Sequence, residues 1–279
     1  MILILGSNGQ LGQCLNSILS HETYFYSKDE CNIEDIKNLE KVITTVKPSI
    51  IINCAAFTNV DQCESKAEKA NNVNHRGPRN ISILSNKYGF QFIHISTDYV
   101  FDGKKNTPYN EKDSTHPTSI YGKSKLAGEN AITENSVNYI IIRTSWLYSE
   151  YSRNFVTNIL KALKSKESIG IVYDQVGSPT YAKDLALAIK HIIETNQVHK
   201  QGIYHFANLG VSSWYDLASE VKYYFKTPCK IKAIESFEYP TPATRPNYSV
   251  LNSRKFIDTF NYQIPNWKES LLKCLKSLS

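Results

Sequence analysis

Four apolar residues, Ile2-Leu-Ile-Leu5, run straight into a glycine, and the first half of the chain repeats that arrangement: a short apolar run, small or polar residues, then a helical spacing. Runs this short, apolar without alternation, predict strands covered on both faces. On that basis strands fall at Ile2–Leu5, Tyr24–Tyr26, Ile50–Ile52, Phe92–Ser96 and Tyr139–Arg143. Between them, Leu15, Ile18 and Leu19 keep a helical spacing, and 33–46 reads as a helix that stops before Pro48. The stretch 64–88 reads as a helix interrupted around Arg76-Gly-Pro78, and another helix follows Pro117.

Strands and helices alternating at this rhythm predict an α/β fold, a doubly wound, Rossmann-like parallel sheet with ligands at the C-terminal ends of its strands. Past about residue 150 the elements become mixed: 155–163, 181–193 and 214–225 are helical, 169–172 and 203–206 extended. The expected organisation is a dinucleotide-binding domain over 1–150. A smaller mixed α/β substrate lobe over 151–279 follows, some of its segments returning to the first domain. There is no repeat and no low-complexity linker.

Composition narrows the function classes. Across 279 residues, 41% are hydrophobic and 21% charged, ordinary for a globular chain. The longest apolar runs fall far short of a membrane span. Met1-Ile-Leu-Ile-Leu5 has no basic leader or cleavage site. The net charge of +6 is spread along the chain, which suits an anionic small ligand and gives no basic block for nucleic acid. The 6 cysteines are scattered without a Cys-x-x-Cys pair, and the 7 histidines show no metal-ligand spacing. These features lead us to expect a cytoplasmic protein, monomer or homodimer, with no metal, membrane or nucleic-acid partner.

Candidate chemistry sits at the strand ends. Gly6-x-x-Gly9-x-x-Gly12, between a strand and a helix, lets the backbone approach a pyrophosphate, although a plain βα turn carries the same glycines. Ser27-Lys28 follows the second strand, where a hydroxyl and a cation suit a 2′-phosphate, so NADPH is expected, with NADH the alternative. Small residues in Asn53-Cys-Ala-Ala-Phe-Thr58 would let a flat cofactor lie against the backbone. Tyr121 and Lys125 share one helix face a turn apart, and a cation there would pull the phenol pKa down toward useful acid–base chemistry. The same spacing fits a solvated helix face. Arg245, on the proline-stiffened loop 239–246, could clamp a diphosphate or be a surface arginine.

Together with Ser96-Thr-Asp-Tyr-Val-Phe-Asp-Gly103, Arg143-Thr-Ser-Trp146, Asp174-Gln-Val-Gly-Ser-Pro-Thr180 and Pro240-Thr-Pro-Ala-Thr-Arg-Pro246, these motifs span most of the chain. The chain resembles the extended short-chain dehydrogenase/reductase superfamily and, within it, the dTDP-4-dehydrorhamnose reductase family. The resemblance implies hydride transfer from NAD(P)H to the C4 ketone of a nucleotide-linked 4-keto-6-deoxy sugar, forming dTDP-L-rhamnose from dTDP-4-dehydro-L-rhamnose. It implies catalysis by Thr97, Tyr121 and Lys125, with Tyr121 giving its proton to the C4 oxygen. Cofactor contacts carry over to Gly6, Gly9, Gln10, Leu11, Gly12, Lys28, Asn32, Ile33, Ala55, Ala56 and Thr58, besides Tyr121 and Lys125. Substrate contacts fall on Val60, Thr97, Asp98, Tyr99, Trp146 and Arg245.

Two departures matter. Asn32-Ile33 stands where the family usually has Asp-Ile near adenine, and Cys14 stands where some members carry a magnesium-binding glutamate, so a metal-bridged dimer is not implied. A sugar-nucleotide 4,6-dehydratase is unlike this chain, because Asp98 is followed by Tyr99 and not by a second carboxylate. An epimerase on the same scaffold, or a non-catalytic subunit resembling the regulatory subunit of methionine adenosyltransferase, remain the alternatives.

Overall fold

The computed structural model describes residues 1–19 and 22–279. Its centre is a sheet of β1 (Ile2–Leu5), β2 (Thr23–Tyr26), β3 (Ile50–Asn53), β4 (Gln91–Thr97), β5 (Tyr139–Thr144) and the strand Gly202–His205. From one edge the order is the Gly202–His205 strand, β5, β4, β3, β1, β2, and every pairing is parallel. The strands are apolar throughout because both faces are covered. Ile4 and Ile52 pack on one face with Leu11, Leu15 and Ile189, while Leu3, Leu5, Ile51 and Phe92 pack on the other with Leu39, Ile43 and Leu84. The chain winds in opposite directions on either side of β1 and β3, and the loops after these two strands flank the crevice where such sheets bind ligands.

Helix boundaries follow local chemistry. In α1 (Gln10–Asn16) the first turn has no side-chain cap. The helix α2 (Ile36–Val46) starts three residues later than its apolar spacing suggests. Asp35 caps it by accepting the Lys37 and Asn38 N–H groups, and Lys47 ends it at φ 50° before Pro48.

The stretch read as one interrupted helix is instead α3 (Val60–Ser65), α4 (Ala67–Asn71), a π turn over Asn72–Arg76, and α5 (Gly77–Tyr88). The chain widens ahead of Pro78 without breaking, since a proline in the first turn of α5 needs no N–H partner. In α6 (Ile120–Asn135), Ser119 is the cap, accepting the Gly122 N–H.

Beyond residue 150 the helix Phe155–Ser165 and the parallel pair Ser168–Val172 with Lys230–Ile234 join the helices Trp214–Phe225 and Trp267–Ser277. Leu160, Leu163, Leu217, Val221 and Leu271 form a separate core there. The helix Ala182–Glu194 and the strand Gly202–His205 go back to the large sheet, with Leu185, Ile189 and Tyr204 in its core. No helix among the described residues is long and apolar enough to cross a membrane.

Candidate active site

The C-terminal ends of β1, β3, β4 and β5 open into a cavity of about 510 Å³ lined by Gly9, Gln10, Leu11, Ala56, Thr58, Val60, Thr97, Asp98, Tyr99, Tyr121, Lys125 and Trp146. A second cavity of about 300 Å³ shares Gly9, Cys54 and Ala56 with it and continues past Gly6 and Ala55 to Ser27, Lys28, Asn32 and Ile33. The two form one groove, running from the Tyr121 phenol across the glycine turn to the end of β2. A larger open groove of about 980 Å³ between the helices Trp214–Phe225 and Trp267–Ser277 contains none of these residues.

The glycines make this groove by close approach. A Cβ on Gly12 would lie 2.6 Å from the Gly6 and Ser7 carbonyl oxygens, and one on Gly6, at φ +81°, would lie 2.5 Å from the Ala55 nitrogen. Loop β1–α1 is thereby folded on itself and against the segment after β3, leaving room for a backbone-hugging ligand. Gln10 lines the cavity, and its carboxamide accepts from Ser149 at 3.0 Å and donates to the Leu147 carbonyl at 3.3 Å, tying α1 to the segment after β5. Lys28 lies at the far end as expected, but its ammonium is paired with Glu34 at 2.8 Å. Asn32 is held in its turn, accepting from the Glu34 N–H and receiving Asn38 on its own N–H, and Ile33 is largely core.

At the other end, Gly122 lets α6 pack against the Thr97–Tyr99 turn, since a Cβ there would lie 2.2 Å from the Tyr99 carbonyl. That contact brings Tyr121 beside Thr97, edge-on to the Tyr99 ring at 5.5 Å. The expected effect of Lys125 on Tyr121 needs correction. Burial pushes the Tyr121 phenol well above its ordinary value, with only the Thr97 hydroxyl opposing. The Lys125 side chain, in a residue 2% exposed, turns to β4, where Nζ donates to the Ile95 carbonyl at 2.6 Å and meets His94 Nε2 at 3.2 Å. Sharing a helix face fixed the two Cα positions, whereas tertiary acceptors decided where the long side chain ends. Burial draws the Lys125 pKa down to about 8, against an upward pull from Glu129.

Asp98 accepts the Thr97 hydroxyl at 3.0 Å on one oxygen; its other oxygen has no well-formed hydrogen bond among the described residues, although the Ser249 hydroxyl, likewise unpartnered, is near enough to oppose the effect of burial on the carboxyl. Burial lifts this carboxyl to about 6. A raised carboxyl favours the native state most below the unfolded value near 4, and that advantage is lost as pH rises through about 6. Asp98→Asn, which keeps the shape without the charge, is expected to be more stable than the wild type at pH 8, by on the order of 3 kcal/mol. The gap should close toward pH 4; thermal unfolding at both values reads it, and a constant difference between them would remove the buried charge as its cause.

Trp146 adopts φ 48°, unusual for a bulky residue, and lies flat on Trp214 with ring centroids 3.5 Å apart. Gly177 in the 174–180 motif is what admits it, since a Cβ there would fall 2.6 Å from the indole. Arg245 does not line the cavity. Its guanidinium pairs with Asp61 at 2.8 Å and reaches the Tyr99 hydroxyl at 3.4 Å, so it stands one residue behind the surface expected to meet a diphosphate.

Sequence reasoning missed several residues. Asn74, on the π turn, accepts the Phe57 N–H and donates to the Phe57 carbonyl and to Ser124, fixing the wall of the groove. Gly128 admits the Asn74 carbonyl, which would otherwise meet a Cβ at 2.2 Å. Trp214 lies beyond the motifs that were read, and its aromatic helix start was the only signal. His94, mid-strand on β4, is buried and contacts both Asn53 and Lys125. Among the described residues no group of three or more His, Cys, Asp or Glu is placed to hold a metal ion.

The whole chain, residues 1–279, matches the family model described as the RmlD substrate binding domain. The spore coat polysaccharide biosynthesis protein SpsK of Bacillus subtilis (strain 168) is 39% identical over 281 residues, covering 100% of this chain and 98% of that protein. A dTDP-4-dehydrorhamnose reductase of Aggregatibacter actinomycetemcomitans is 37% identical over 284 residues, 97% of this chain and 96% of its own. Among solved structures, the dTDP-4-dehydrorhamnose reductase of Bacillus anthracis str. Ames in complex with NADP superposes with a TM-score of 0.95 at 36% identity, covering 99% of this chain and 98% of that one.

Proposed function

The chain belongs to the RmlD substrate binding domain family, and on that premise we propose that its groove reduces the C4 ketone of dTDP-4-dehydro-L-rhamnose to give dTDP-L-rhamnose. It is an NADPH-dependent reductase of nucleotide sugars. The observation that carries this reading is a single groove that holds Thr97, Tyr121 and Lys125 at one end and the glycine turn at the other.

The residues fit the cofactor. Gly6, Gly9 and Ala55–Ala56 line a cradle whose tight turn any Cβ at Gly12 would break by meeting the Gly6 and Ser7 carbonyls, and Ser27, Lys28 and Asn32 end it with polar groups. When bound there, NADPH supplies the hydride. Thr97, its one hydroxyl hydrogen turned from Asp98 to the sugar carbonyl, orients that oxygen, and Tyr121 gives it a proton as negative charge develops. Burial keeps the phenol protonated through neutral pH, so it enters the reaction as an acid. Lys125 lies one helical turn away and can turn from the Ile95 carbonyl toward the groove, where an ammonium favours the phenolate left behind. The free Asp98 oxygen accepts a sugar hydroxyl, and the Trp146 face packs on the sugar. Arg245, released from Asp61, meets the diphosphate.

The Aggregatibacter and Bacillus anthracis relatives are named reductases, neither epimerases nor non-catalytic subunits. Loss of NADPH absorbance against a panel of nucleotide-linked 4-keto sugars tests the proposal. Stoichiometric oxidation with the dTDP-linked 4-keto-6-deoxy sugar is expected. Product formation without net NADPH consumption would point to an epimerase, and binding without turnover to a regulatory role.

A further inference from the structure

His94 sits on β4 directly opposite Asn53 of β3, fully buried, with Lys125 of α6 on its far side. The donors and acceptors in this row can be counted. Asn53 Oδ1 accepts the Ala55 N–H at 3.0 Å, which fixes the carboxamide, so the group it turns to His94 is its NH2, with Nδ2 at 3.2 Å from Nδ1. A ring nitrogen that faces a donor must be the bare one. Burial holds the imidazole neutral, so its single proton resides on Nε2 and points at Lys125 Nζ, 3.2 Å away. Nζ itself donates to the Ile95 carbonyl. An ammonium has three donors and no lone pair, and only a neutral amine can both donate to Ile95 and accept from His94.

We propose that His94, held as its Nε2–H tautomer by Asn53, is a positioning residue that sets the protonation state of Lys125, favouring the neutral amine while the lysine is turned to β4. The other groups acting on Lys125 are Glu129 on its own helix and Cys54 after β3, with Arg143 of β5 paired to Glu129. Glu129 and Cys54 favour the charged lysine; burial and the Nε2–H oppose it, and the lysine loses its charge near pH 8. Turnover that depends on the ammonium therefore falls as pH rises through that region.

The tautomer is read on the cofactor-free protein by long-range proton–nitrogen NMR of the histidine rings, with His94→Gln identifying the resonance. The expected spectrum has Nδ1 unprotonated and Nε2 protonated. In Asn53→Asp the carboxylate accepts an Nδ1–H, moving the proton and leaving Nε2 bare to receive an ammonium. In that variant the alkaline limb of kcat is expected to shift upward by about one pH unit, a tenfold change in proton concentration. His94→Gln, whose carboxamide oxygen can also accept from the ammonium, should shift it the same way, which a merely structural role would not do. A protonated Nδ1 in the wild type, or a reversed tautomer with an unmoved alkaline limb, overturns the proposal. The kinetic arm rests on the reductase reading and the spectroscopic arm does not, so a protein that turned over none of the sugars would leave the tautomer still decided.

Discussion

Tyr121→Phe is expected to retain the fold and NADPH affinity while turnover falls by about 10²–10⁴-fold, the usual contribution of a positioned proton donor. The ring stays where it is, because it packs edge-on to Tyr99 in a cluster with Cys63 and Ala70, and the substitution removes only the hydroxyl. Thr97 continues to donate to the carbonyl oxygen, which sets a residual rate above that of the free reactants. Binding of NADPH, followed by the fluorescence of the cofactor, and the single-turnover rate separate the two effects. A variant retaining near-normal turnover would mean that the proton comes from elsewhere in the groove.

The second large effect concerns stability. Glu129 and Arg143 form a salt bridge at 2.7 Å with both side chains almost wholly buried, and the same carboxylate accepts the Ser96 hydroxyl. Arg143 has His205 Nε2 at 3.5 Å on its other side and the Phe101 ring 5.2 Å from its guanidinium carbon. Burial and the nearby guanidinium hold His205 neutral, its pKa down to about 3, so it supplies no compensating charge. Glu129→Gln therefore strands a cation in the core and should cost about 3–5 kcal/mol, as breaking one side of a buried pair does. For a chain of this size that lowers the melting temperature by on the order of 10 °C. Removing both charges, with Arg143→Met added, should recover much of the loss. If the single substitution proved nearly neutral, water would have to reach the pair. Glu129→Gln also deprives Lys125 of the carboxylate that raises its pKa, so the alkaline limb of activity should move to lower pH.

What could be read from the residues follows from which interactions are local. The sheet was legible because Ile2–Leu5, Ile50–Ile52 and Tyr139–Arg143 are apolar without alternation, a pattern that two covered faces impose. The glycine turn was legible because Gly12 answers a close approach to Gly6 and Ser7 within the same turn, while the Ala55 backbone that Gly6 admits comes from the distant segment after β3. The shared face of Tyr121 and Lys125 was legible as helical spacing, but the direction of the ammonium was not, since the Ile95 carbonyl and His94 ring that capture it are 30 and 31 residues away in sequence. Likewise, nothing in Tyr239–Pro246 announces that Asp61 will hold Arg245, a contact spanning 184 residues. The Asn72–Arg76 π turn read as a break because Gly77-Pro78 resembles one; the Asn74 contacts that sustain the widened turn come from Phe57 and Ser124. Ile203–Phe206 read as extended without its sheet being evident, because a parallel partner lies across a long crossover.

The Gly202–His205 strand has a bearing on how such a protein can be rebuilt. Since it covers the flank of β5 after the chain has already passed through the other core, no single cut separates a cofactor half from a sugar half. A graft of sugar preference from one relative to another has to exchange scattered patches around Trp146, Trp214 and the 239–246 loop, while Ala182–His205 stays with the recipient. A chain cut off near residue 150 would leave β5 with a bare flank, able to pair with another chain.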